Sequence, residues 1–218
     1  MGSWQSLAPM PTARSHCAAV VAFDKLLVAG GQDHGPLNLV EALDIGESRW
    51  SEWAPLPEHL SDCGAVLVQD FATLVLVGCG PDGKTRFLTW RQGAAAWAPF
   101  SPPPGRESRT LPALAATNRC LFVIGGMLPH EDADVGFVDV FNFAEGSWRA
   151  LPNLPRPRRQ ALAACAQGKV YVLGGLAAGP VEYVDCFDLR RSEWSQLPDL
   201  PDAFAANAAA VSVRSAGP

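Results

Sequence analysis

Six arginines gather in short polar stretches of the chain: Arg14, Arg106, Arg109, Arg156, Arg158 and Arg159. A guanidinium offers a planar fork of donors that fits a carboxylate or phosphate in two places at once. The chemistry open to this set is capture of an acidic segment, not bond-making. Asp33, His34, His130 and Asp132 stand in comparable stretches and would add mixed charge to the same surface. Arg14 and Arg158 have an alternative use, which is to fix the start of a strand by donating to backbone carbonyls.

Residues that would make an enzyme are scattered. The chain has no Gly-x-Ser-x-Gly nucleophile elbow. GCGPDG at 78–83 satisfies the G-x-G-x-x-G pattern and follows a strand-like run. Pro81 and the short stretch to Phe87 leave no room for the helix whose N-terminus would hold a pyrophosphate. The six cysteines, Cys17, Cys63, Cys79, Cys120, Cys165 and Cys186, are widely spaced and lie mostly in apolar runs. No secretory leader is visible, so buried reduced thiols are expected. His16 and Cys17 form the only close His–Cys pair and paired ligand spacing is missing, so neither metal nor cofactor is expected.

The 218 residues carry a net charge of −5, which disfavours a general nucleic-acid binder. No apolar run reaches the ~20 residues that a membrane helix needs. The start Met-Gly-x-x-x-Ser fits the loose myristoylation pattern, but one such chain anchors only marginally. Neither a nucleic acid nor a membrane is an expected partner. Apolar residues make up 48%, enough for a core, while 20 Gly and 19 Pro punctuate the chain too often for long helices.

The elements that must position these side chains come from a repeat. LLVAGG at 26–31, LVLVGC at 74–79, LFVIGG at 121–126 and VYVLGG at 170–175 start 48, 47 and 49 residues apart. Trp53, Trp97, Trp148 and Trp194 recur between them, and Trp4 opens the series. Each is followed by a Leu/Phe and Pro cluster. Each period then offers four short strands. Strand a is small and apolar (HCAAVVAF, CGAVLVQ, PALAAT, ALAACAQ and finally NAAAVSV). Strand b ends in the Gly pair, strand c is the VEYVDCFDL-like segment and strand d carries the Trp. This is the pattern of propeller blades. Alanines let several innermost strands converge on an axis, and indoles fill the wider gaps further out. The pairs Gly30–Gly31, Gly125–Gly126 and Gly174–Gly175 mark places where a side chain would clash or the backbone must turn left-handed.

The order Gly-Gly, then Val40-Glu41-x-x-Asp44 or Val-Glu-Tyr-Val-Asp (181–185), then Trp, then Leu-Pro-x-Leu-Pro, resembles the kelch repeat. Repeats one and four match best. Repeat three has Val138-Asp139-Val140 instead, and repeat two replaces the second Gly with Cys79 and lacks the acidic pair. The resemblance implies an all-β, kelch-type β-propeller over residues 4–213. It has four complete four-stranded blades and partial terminal strands, Trp4–Ala8 and Asn207–Val213, in an incomplete or atypically closed ring. The repeats run about 4–53, 54–97, 98–148, 149–194 and a partial 195–213, with tails at 1–3 and 214–218.

By the same resemblance, partners bind the face made by the b–c and d–a loops, where the arginines above fall. The expected function is a non-catalytic protein-interaction module for a protein or acidic peptide, in the cytoplasm or the nucleus. Substrate recognition in a ubiquitin ligase is one such role, although the chain has no BTB or F-box segment. Unpaired blade edges imply self-association as well. The alternative is a sugar-epimerase-like enzyme using loop carboxylates such as Asp132 or Asp134.

Overall fold

The computed structural model describes residues 6–106 and 109–205. Four antiparallel sheets follow one another along the chain. Blade 1 holds β1 (Ala18–Ala22), β2 (Lys25–Ala29), β3 (Val40–Asp44) and β4 (Arg49–Glu52), paired in that order. Blade 2 holds β5 (Ser61–Val68), β6 (Thr73–Cys79), β7 (Thr85–Arg91) and the short β8 (Ala98–Pro99). Blade 3 is β9 (Ala113–Ala116), β10 (Cys120–Ile124), β13 (Val138–Asn142) and β14 (Ser147–Leu151). A small hairpin of β11 (Met127–Leu128) and β12 (Ala133–Asp134) rises between β10 and β13. Blade 4 is β15 (Leu162–Ala166), β16 (Lys169–Leu173), β17 (Val184–Asp188) and β18 (Glu193–Leu197). The fold is an all-β propeller. Of the expected partial strands, residues 6–8 are described and form no strand, while 207–213 lie outside the described residues.

Strands a line the axis. β1 lies against β5, β5 against β9, and β9 against β15. Their buried alanines, among them Ala18, Ala22, Ala65, Ala115 and Ala163, allow that approach. Further out, the period-2 alternation sends neighbouring side chains into two different cores. In β6, Leu74 and Leu76 pack toward blade 1, whereas Val75 and Val77 pack toward blade 3. In β10, Leu121 and Val123 face blade 2 while Phe122 and Ile124 face blade 4. In β6 and β10 strand b therefore reads as an unbroken apolar run because both its faces are covered.

The recurring indole is Trp50, not the expected Trp53. The register sets Trp50 opposite Leu43, just as Trp148 faces Phe141 and Trp194 faces Phe187. Its Nε1 donates to the Ala8 carbonyl at 2.9 Å. Trp97, Trp148 and Trp194 donate in the same way to Ala54, Ser101 and Pro152. The bonds of Trp97, Trp148 and Trp194 tie each blade to the residues that follow strand d of the blade before, while that of Trp50 reaches the segment that precedes blade 1. Trp53 instead packs against Trp90, and its indole nitrogen is buried without a hydrogen-bond partner. Two tryptophans three residues apart made the phase ambiguous in sequence.

The Gly pairs are conformational. Gly30 and Gly31 have φ of +61° and +93°, and a Cβ on Gly30 would sit 2.7 Å from Cys63 Sγ. In blade 2 the strand continues through Gly78 and Cys79 to pair with Thr85, and neither residue has a positive φ, so a side chain is tolerated at 79, whereas a Cβ on Gly78 would sit 2.8 Å from Cys63 Sγ.

Candidate interaction face

The b–c and d–a loops share one end of the propeller, and backbone bonds knit them together. Gly31 N donates to Leu60 O, Gly126 N to Arg158 O and Gly175 N to Phe204 O, so the b–c loops of blades 1, 3 and 4 are each held by the segment that follows strand d of the same blade. This repeated bond makes Leu60, Arg158 and Phe204 equivalent positions. Arg14 and Arg109 occupy the same place in their own blades, one residue before the bridges Ser15–Gln32 and Thr110–Met127.

Three of these equivalent residues are arginines closing on an acid from strand c of the same blade. Arg14 pairs with Glu41, and its Nη1 also donates to the Gly30 and Leu39 carbonyls. Arg109 lies 2.9 Å from Asp139 and donates to Phe137 O. Arg158 Nη1 donates to Asp185 Oδ2 at 2.7 Å, and its other nitrogens reach the Gly174 and Val172 carbonyls. Arg109 and Arg158 are each 1% exposed and Asp185 is 0%. Burial pulls Arg109 down to about 10 and lowers Arg158 as well, since a guanidinium removed from water holds its proton less tightly. In blade 2 the acid position in β7 is Leu88, and the arginine position is Leu60. Both are buried in one apolar cluster, so an apolar pair replaces the ion pair.

Arg14, Arg109 and Arg158 are thus brought to the roots of the loops, not to their surface. Arg14 and Arg158 bond backbone carbonyls in the alternative role considered for them. Arg156 is half-buried; it chelates Asp185 through Nε and Nη2, stacks 4.1 Å from the Tyr183 ring and lies 3.7 Å from Asp199. Arg159 donates to Asp134 at 2.7 Å. Arg106 lies over the Phe137 ring at 3.5 Å. Arg86, on the same face, is held by Glu58 and Asp82. Asp33 and His34 form an exposed pair 3.6 Å apart. His130, Glu131 and Asp132 are exposed at the tip of the β11–β12 hairpin. Lys84 is exposed on this face as well.

The cations of the face are therefore largely engaged, and the acids outnumber them. Sequence reasoning missed Glu41, Asp139 and Asp185 as the arginines' partners. A signal was present: arginine and acid stand 27 residues apart in blades 1 and 4. Among the described residues, no group of three or more His, Cys, Asp or Glu side chains is placed to hold a metal ion. All six cysteines are free thiols. Burial pushes Cys63 and Cys165 up to about 12. No helix among the described residues is long and apolar enough to cross a membrane.

The Kelch motif family matches residues 13–57 and 157–201, which are blades 1 and 4 with their flanking loops. The chain is a kelch-repeat protein. The kelch-repeat chain is 28% identical over 180 residues to Kelch-like protein 35 of Mus musculus, covering 80% of itself and 29% of that relative. It is 32% identical over 180 residues to the Kelch-like protein terF of Aspergillus terreus, covering 74% of itself and 39% of terF. An F-box/kelch-repeat protein of Arabidopsis thaliana is 29% identical over 167 residues, with 69% and 44% covered. The chain spans less than half the length of each of these relatives. Among solved structures, that of YjhT superposes with a TM-score of 0.80 at 12% identity, over 93% of this chain and 76% of that one, which shows the shared fold.

Proposed function

We propose that this kelch-repeat chain is a non-catalytic recognition module that holds a segment of a partner protein against its b–c and d–a loops. The arrangement that carries the reading is the set of three buried arginine–acid pairs. They clamp the loop roots to strands b and c, so the rim is ordered before a partner arrives and binding costs little loop entropy. The partner segment is basic, in place of the acidic one expected from the arginine count. Arg156, Arg159 and Arg86 already face acids, while Asp33, Glu131, Asp132 and Asp202 stand exposed and, among the described residues, make no ion pair with an arginine. Substrate recognition in a ubiquitin ligase is the finer role we favour, with the ligase recruited by a segment outside these repeats. One relative's name joins an F-box to kelch repeats, which supports that role. The loop carboxylates favour no sugar enzyme: Asp132 is exposed at a hairpin tip, and Asp134 is taken up by Arg159.

A peptide array displaying matched basic and acidic segments tests this reading. Basic segments are expected to bind, and Glu131→Lys with Asp132→Lys is expected to weaken them. Retention of acidic segments in their place, with no loss on that double substitution, overturns the charge assignment. Failure of every segment overturns the module itself.

A further inference from the structure

A second site lies at the opposite end of the axis from the loop face. The a–b turns of blades 1, 2 and 3 surround the mouth of a cavity of about 500 Å³, within the range of small-molecule pockets. Its walls are the small residues of the innermost strands, chiefly Ala19, Ala115, Ala116 and Ala164, together with Val20 and Val66. The small side chains on the innermost strands leave this shaft open. It is apolar along its length and polar at one end, where Asp24, Gln69 and Asn118 line the mouth.

Among the described residues that line the cavity, Asp24 alone is formally charged. The cations nearby are taken up elsewhere: Lys25 by Asp44 at 3.1 Å and Arg119 by Asp70 at 2.8 Å. The turn that presents Asp24 is a two-residue hairpin. Phe23 and Asp24 both adopt positive φ, +53° and +61°. Blade 4 makes the corresponding two-residue turn with Gln167 and Gly168, also at positive φ, so Asp24 stands where blade 4 has Gly168. Phe23 is held in place by an edge-on contact with Trp90, with ring centroids 5.4 Å apart. The turn thus sets Phe23 and Asp24 side by side at the cavity lining.

We infer that this axial cavity binds a small primary amine carried on an apolar body, with the body in the alanine-lined shaft and the ammonium at Asp24. Gln69 and Asn118 supply amide acceptors for the remaining ammonium protons. The site shares no residue with the loop face and stands or falls separately from the recognition reading.

Isothermal titration calorimetry with octylamine, octanol and octanoate tests it, since the three share a tail and differ in the head. Octylamine should bind about threefold to fivefold more tightly than octanol, the scale of an ion pair that water still reaches, and octanoate should bind worst. Asp24→Asn keeps a residue at ease with positive φ, and should bring octylamine down to the affinity of octanol without changing octanol. Ala19→Leu, or Ala164→Leu from another blade, should weaken all three. Circular dichroism identifies the variants that fold. The proposal is overturned if no probe binds the wild-type chain, if octanoate matches octylamine, if Asp24→Asn leaves the preference intact, or if folded Ala19→Leu and Ala164→Leu both bind as before.

Discussion

Asp185 has no exposed surface, yet two guanidinium groups close on it. Removing one member of such a buried set leaves the others charged and unpaired, at a cost of about 3 to 5 kcal/mol. Asp185→Ala should lose that much stability in urea denaturation, more than any exposed acid on the rim. The tryptophans separate two roles by a single atom. Trp50→Phe should cost about 1 kcal/mol, because it deletes a bond to Ala8. Trp53→Phe should lose less, because its indole N–H is buried without a partner and removing an unpaired donor relieves a cost. The thiols add a pH dependence. Cys63 and Cys165 are held near 12 in the folded state against 9.0 when free in water. Below pH 9 both states keep the proton and this contribution is fully present. As pH rises toward 12 the unfolded chain releases protons that the folded chain retains, so stability falls. Denaturation midpoints measured from pH 8 upward should decline, and Cys63→Ala with Cys165→Ala should flatten the decline.

Strand c, through the second residue of β3, β13 and β17, decides whether a blade root is ionic or apolar. Blade 2 solves the same problem with Leu60 and Leu88 that blades 1, 3 and 4 solve with arginine and an acid. The two solutions should be interchangeable only as pairs. In blade 3, Arg109 Nη2 and Asp139 Oδ2 make no hydrogen bond despite their short ion pair, so this is the pair with least to lose. Asp139→Leu alone should destabilise the protein by about 3 to 5 kcal/mol, while Arg109→Leu with Asp139→Leu should come within about 1 kcal/mol of the wild type. A double-mutant cycle in denaturant measures the difference. Equal costs for the single and double variants would remove the clamp argument at this blade.

Across the whole molecule, each blade packs on its sequence neighbours, and stability behaves as a sum of blade and interface terms. Blades 2 and 3 have both faces covered by other blades. Among the described residues, blades 1 and 4 have one each covered by another blade. Native-state hydrogen exchange should therefore be slowest in β6 and β10 and faster in β1 to β4 and β15 to β18. The outer faces of blades 1 and 4 are also where self-association would occur, so light scattering is expected to find species larger than one chain. A strictly monomeric solution would count against that expectation.

The sequence alone determined the blades, because period-2 apolar runs, Gly pairs and a repeat near 48 residues constrain the backbone locally and recur four times. It also placed the arginines in loops. It could not say which guanidinium groups were free, because Arg158 and Asp185 meet only when the strands of blade 4 pair and fold the loop root over strand c, and burial there turns a candidate contact into a structural clamp. The phase of Trp50, the acidic balance of the rim and the alanine-lined cavity were decided in the same way, by which side chains the closed-up strands cover and which they leave in water.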